Sequence, residues 1–88
     1  MMKITVIKRD GSTEAYDRHK MVRVVQAAGL NSSQAEELAE AVDSWIHNEN
    51  LITLTSLQIR DKVLEELKRI HKPSADLYAW YQQTKEKV

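Results

Sequence analysis

The sequence predicts an α+β domain, a four-helix bundle capped by a small three-stranded β-sheet in the order ββααβαα. Three observations predict it. A β-branched run closes on Asp-Gly near the N-terminus, a second short β-branched run lies at residues 51–54, and four stretches with helical apolar spacing sit between capping residues. Two glycines and one proline leave no room for a linker, so residues 1–88 form a single domain.

The elements follow in order. In the run KITVIK, Ile4 and Val6 share one face of a strand, with Thr5 and Ile7 on the other. Asp10-Gly11 supplies the positive-φ residue a hairpin turn needs, and the chain returns through Ser12 to Tyr16, giving a hairpin over 3–16. Asp17 caps a first helix, about 18–28, whose apolar positions Met21, Val24, Val25 and Ala28 keep helical spacing, and Gly29 stops it. A second helix, about 33–48, begins at Ser32 or Ser33, where Ser33-x-x-Glu36 forms a capping box, and turns Ala35, Leu38, Ala39, Val42, Trp45 and Ile46 to one face. Residues 51–54, LITL, are too short and too β-branched for a helix and read as the third strand. Thr55-x-x-Gln58 is another capping box, opening a helix over about 56–71 with Ile59, Val63, Leu67 and Ile70 inward. Pro73 and Ser74 restart the chain into a last helix, about 74–86, that carries Leu77, Tyr78, Trp80 and Tyr81.

Composition narrows the function. There is no cysteine, which excludes disulfides, thiolate zinc sites and thiol nucleophiles. Apolar runs are too short to span a bilayer and no signal peptide is visible, so a cytoplasmic protein without a membrane partner is expected. Thirteen basic residues balance thirteen acidic ones, and on that neutrality nucleic acid is not expected as a partner. The balance conceals a segregation: residues 1–30 hold six bases against three acids, whereas residues 31–59 hold five acids and no Lys or Arg. An anionic ligand belongs near the N-terminal segment.

Catalytic constellations are missing. Most serines fall at helix starts, His19, His47 and His71 lack metal-ligand spacing, and no Walker or G-x-G-x-x-G loop is possible with two glycines. The expectation is a protein that is not an enzyme, with no metal held by side chains alone. The hairpin is more informative. Lys8 and Arg9 stand at its turn, Glu14 and Tyr16 on its return, and Lys20 in the first turn of the next helix, where free backbone amides favour an anion. The competing reading of Lys8 and Arg9 is as gatekeepers against strand-edge pairing.

The run V-I-K-R-D-G-S-T-E-A-Y-D-R-H-K, Val6 to Lys20, resembles the opening signature of the ATP-cone. That regulatory nucleotide-binding domain occurs at the N-terminus of many ribonucleotide reductases and in the repressor of their genes. The resemblance extends to A-A-G-L at 27–30 and L-T-S-L-Q-I-R-D-K-V at 54–63, and so covers nearly the whole chain. It implies the same capped bundle, and ATP or dATP bound between cap and helices, with Mg²⁺ accompanying the phosphates. Residue by residue, the resemblance places Lys8, Arg9 and Lys20 at the phosphates, Val6 against the base and Glu14 in the same pocket. It places Ser56, or its neighbour Thr55, near the base, and Arg60 where ATP and dATP are told apart. The family's basic residues after the final aromatic are replaced by Gln82 and Gln83, which leaves Lys85 and Lys87 as substitutes or as a solvated helix end.

The expected function is a non-catalytic regulatory domain, stand-alone or excised. It binds nucleotide and signals through altered association with itself or with a protein partner, such as a ribonucleotide reductase or a regulator. The competing class is a helical protein-interaction or DNA-binding domain that keeps the fold without the nucleotide. Tyr78, Trp80 and Tyr81 read as core or bundle surface rather than a base-stacking platform, and the acidic second helix as a solvated face or a docking face.

Overall fold

A computed structural model describes residues 4–86, with side chains to Tyr81. The elements run β1 (Thr5–Ile7), β2 (Thr13–Ala15), α1 (Arg18–Ala27), α2 (Ser32–Asn48), β3 (Thr53–Thr55), α3 (Ser56–Ile70) and α4 (Lys72–Glu86), the α+β order ββααβαα. The strands form one sheet in the order β2-β1-β3. β1 pairs antiparallel with β2 and parallel with β3, so Val6 lies opposite Glu14 on one side and Leu54 on the other. Directly opposed residues share a sheet face, which sends Val6, Glu14 and Leu54 the same way.

Local chemistry explains each boundary. The β1–β2 connection is a turn over residues 8–11, closed by the Gly11 N–H donating to the Lys8 carbonyl at 3.0 Å, with Gly11 at φ +90°. Asp10 accepts from the N–H and hydroxyl of Ser12 at 2.9 and 2.6 Å, and these bonds hold its carboxyl below the usual range. Asp17 caps α1 as the sequence predicts. The helix then ends in a Schellman turn: the Leu30 N–H donates to Val25 and the Gly29 N–H to Gln26, with Gly29 at φ +115°. Asn50, at φ +54°, closes α2 in the same way, with Leu51 donating to Ile46 and Asn50 to His47.

The start of α2 differs from expectation. Its capping box is Asn31 with Gln34, not Ser33 with Glu36. The Schellman turn carries Leu30 into the core and leaves Asn31 extended, so its side chain reaches the Gln34 N–H at 2.8 Å. Thr55 and Gln58 form the predicted box at α3. The last helix begins at Lys72, with Pro73 in its first turn. Ser74 is buried and lies 2.9 Å from the His71 ring rather than opening the helix.

The core lies between the helices and under the sheet. Val25, Leu38, Val42, Ile46, Leu54, Val63 and Leu67 are its largest fully buried apolar side chains. Each contributes about 1.5–3 kcal/mol on burial. Buried Glu66 is matched by Arg69 at 2.8 Å and Lys62 at 3.5 Å. Trp45 is half-buried against the core with the Lys62 ammonium 5.8 Å from its ring centre.

Candidate functional site

Where the sheet meets the helices lies a half-open cavity of about 190 Å³. Val6 from β1 and Glu14 and Ala15 from β2 form one wall, and Tyr16 and Asp17 continue it into Lys20, Met21, Val24 and Val25 of α1. The other wall is Ser56, Ile59, Arg60 and Val63 of α3 with Tyr78 of α4. Strand register explains the composition. Alternation turns Val6 and Glu14 inward together, and helical spacing brings Lys20 and Val24 to the face that also carries Met21 and Val25.

The cavity is apolar below and charged at its edge. Val6, Met21, Val25, Val63 and Tyr78 are buried. Burial pushes the Tyr78 phenol up to about 12. Glu14 stands between two cations, 3.4 Å from the Lys8 ammonium and 3.9 Å from that of Lys20. The Lys8 and Lys20 side chains keep 48% and 58% of their exposure, so both reach solvent at the rim.

Five of the ten residues singled out from the sequence line the cavity: Val6, Glu14, Lys20, Ser56 and Arg60. Lys8 adjoins it through Glu14, and Arg9 lies exposed in the turn beside Lys8. Thr55 is committed elsewhere. Its hydroxyl accepts from the Gln58 N–H at 3.1 Å and its own N–H donates to the Gln58 side chain at 2.8 Å, leaving Ser56 as the hydroxyl on the wall. Lys87 and the side chain of Lys85 lie outside the described residues. The expected free amides of α1 are modified by Asp17, which already accepts the Lys20 N–H at 3.1 Å and places a carboxylate at the helix start.

The other nine of the fourteen cavity residues, Tyr16, Asp17, Met21, Val24 and Tyr78 among them, are not site residues that the sequence singles out. Tyr16 was legible only as a strand residue, yet its hydroxyl donates to Asp43 of α2 at 2.8 Å. Burial, then that neighbouring carboxylate, raises its phenol far above the ordinary range. Arg18 Nε donates to the other Asp43 oxygen at 2.8 Å and Arg18 Nη1 to Glu36 at 2.8 Å. The Asp43 contact, then Glu36, raises the Arg18 guanidinium further. Among the described residues no group of three His, Asp or Glu could hold a metal ion, and no helix is long and apolar enough to cross a membrane.

Fold and cavity together define a small helical bundle with a β-cap and a lysine-edged pocket at their junction. The chain belongs to the ATP-cone family: the model of the ATP cone domain matches residues 4–86. Members of this family are nucleotide-binding regulatory domains rather than enzymes.

Among curated proteins, the transcriptional repressor NrdR of Synechococcus sp. (strain RCC307) is 39% identical over 70 residues, covering 75% of this chain and 44% of that protein. NrdR of Synechococcus sp. (strain JA-2-3B'a(2-13)) is 34% identical over 95 residues, 99% of this chain and 53% of the relative. NrdR of Persephonella marina is 32% identical over 72 residues, 77% and 47% respectively. The chain thus spans about half the length of these relatives, or less.

These names overturn the expectation that nucleic acid is not a partner, since the relatives are transcriptional repressors. The charge argument failed because it summed over a stretch equivalent to half of those proteins, and net charge over part of a protein does not limit what the whole one binds.

Proposed function

We propose that this chain is a non-catalytic nucleotide sensor that holds ATP or dATP, with Mg²⁺ on the phosphates, at the junction of cap and bundle. The observation carrying this reading is the convergence of Val6, Glu14, Lys20, Ser56 and Arg60 on one cavity in an ATP-cone chain. A cavity of about 190 Å³ is below the roughly 300 Å³ of the smallest usual ligand pockets, which suits a base and sugar inside with the triphosphate along the rim. There Lys8, Arg9 and Lys20 offer charged hydrogen bonds worth about 1.5–3 kcal/mol each. Glu14 holds the two lysines at the edge before the ligand arrives. Lys85 and Lys87 remain candidates for completing the phosphate site.

Nucleotide state is read out by changed association with another copy or with a protein partner, which requires unequal affinity for two assembly states. The repressor relatives point to transcriptional control, with nucleic acid as the downstream partner and ribonucleotide reductase genes as the regulated class. A second reading, a DNA-binding or protein-interaction domain without nucleotide, draws on the same relatives. Thermal melts separate the two. At about tenfold over Kd, bound nucleotide stabilises by about 1.4 kcal/mol, which raises the midpoint of a domain this size by about 5–10 °C. No shift with millimolar ATP or dATP and Mg²⁺ refutes the sensor and leaves the second reading.

A further inference from the structure

None of the described residues lining the cavity comes from α2. A ligand there must therefore reach the acidic helix through some other group, and Tyr16 makes that connection. Tyr16 lines the cavity, and its hydroxyl donates to Asp43 of α2 at 2.8 Å. Two positions on, Arg18 is the first residue of α1 and bridges Asp43 and Glu36, both at 2.8 Å. The end of β2 and the start of α1 are thus fastened to α2 by one carboxylate that serves both oxygens.

We propose that Tyr16 is a positioning residue that couples occupancy of the nucleotide cavity to the acidic face of α2 through Asp43, Arg18 and Glu36; this rests on the nucleotide reading above. The geometry favours coupling over mere packing. A ligand seated between the β2–α1 junction and α3 would lie against Tyr16, one of the lining residues. The hydroxyl stands off the ring on a rigid axis, so displacement of the ring moves the donor relative to Asp43, and a hydrogen bond weakens steeply once misaligned. Arg18 then answers to a changed Asp43. The Glu36 and Asp43 side chains keep 59% and 39% of their exposure, so the altered charge arrangement faces solvent, where a partner can read it.

Trp45 makes the test direct. It lies on α2 two residues after Asp43, and in a Trp80→Phe background it is the sole tryptophan. In that parent, saturating ATP with Mg²⁺ changes Trp45 emission. Asp43 lies outside the cavity, and Asp43→Asn keeps an acceptor for the phenol but not the charge that holds Arg18. With Asp43→Asn added, calorimetric Kd stays within threefold while the emission change falls below a third of the parent's. Tyr16→Phe, which keeps the ring but removes the donor, also drops the emission change below a third of the parent's and serves if Asp43→Asn does not fold. The proposal is overturned if either folded variant keeps the full emission response. It is also overturned if binding and response are lost together, which makes the ring only a wall, or if the parent binds ATP without any emission change. A parent that does not bind ATP is a separate outcome: it removes the nucleotide reading, and the coupling with it.

Discussion

Lys20→Ala isolates the cation that reaches the proposed phosphate rim from the helix side. In the free protein its ammonium is 3.9 Å from Glu14, which retains Lys8 at 3.4 Å when Lys20 is removed, so the variant loses one cation without orphaning a carboxylate. A phosphate charge about 4 Å from the ammonium interacts by about 1 kcal/mol in bulk water and about 4 kcal/mol at an effective dielectric of 20. With 58% of the side chain exposed, the watery end of that range applies. A loss of about 1–2 kcal/mol, or about 5–30-fold in Kd, is therefore expected. Titration calorimetry with Mg-ATP reads it directly, and the difference between variant and parent should shrink at 0.5 M KCl as screening shortens. Lys20→Arg, which keeps the charge, should bind within a few-fold of the parent. Glu14→Gln adds a cycle, because removing the acid relieves repulsion of the phosphates and should restore part of the affinity lost with Lys20. A Lys20→Ala protein that binds Mg-ATP within twofold of the parent at low salt refutes the phosphate assignment.

Two further outcomes concern stability. Gly29→Ala should destabilise by about 1–3 kcal/mol in urea melts, since the residue holds φ +115° and a new Cβ would sit 3.0 Å from the Oγ of buried Ser74. Alkaline titration should destabilise the domain across pH 10 to about 12. The Tyr78 pKa is raised from 10.0 to about 12 on folding, so its contribution is complete below pH 10 and is lost as pH rises through the folded value. Tyr78→Phe should flatten circular-dichroism stability curves in that window, although Tyr16, raised in the same sense, leaves part of the slope.

Most of the architecture was legible because local signals and the global fold agree. Asp10-Gly11, Asp17, Gly29 and the Thr55–Gln58 box each act within a few residues, and the structure uses all of them. The start of α2 was misread because two serines and an asparagine compete for one cap, and the choice falls to where Leu30 is buried. The cavity was half legible. Alternation points Val6 and Glu14 to one face, and the basic cluster of the first thirty residues marks the rim. Tyr78 resisted because a buried aromatic on a helix reads as core whether or not a cavity touches it. The Tyr16–Asp43 bond spans 27 positions, and no local pattern announces a contact at that range. Charge was the misleading signal, since a sum over the chain conceals where the charges sit.

The parallel pairing of β1 with β3 has a consequence for how the chain comes to life. Thr5 finds its partner at Thr53, and the cavity's far wall waits for Tyr78. At about 5–20 residues per second, a ribosome exposes the hairpin seconds before the strand and helices that complete it. Closing so long a loop costs entropy before any native contact compensates, which places the cap among the later events of folding. The cavity is therefore complete only once α4 has been made. A nascent chain holds its basic turn and its acidic helix well before it has anywhere to put an anion, and the finished pocket doubles as a certificate that both ends of the domain have met.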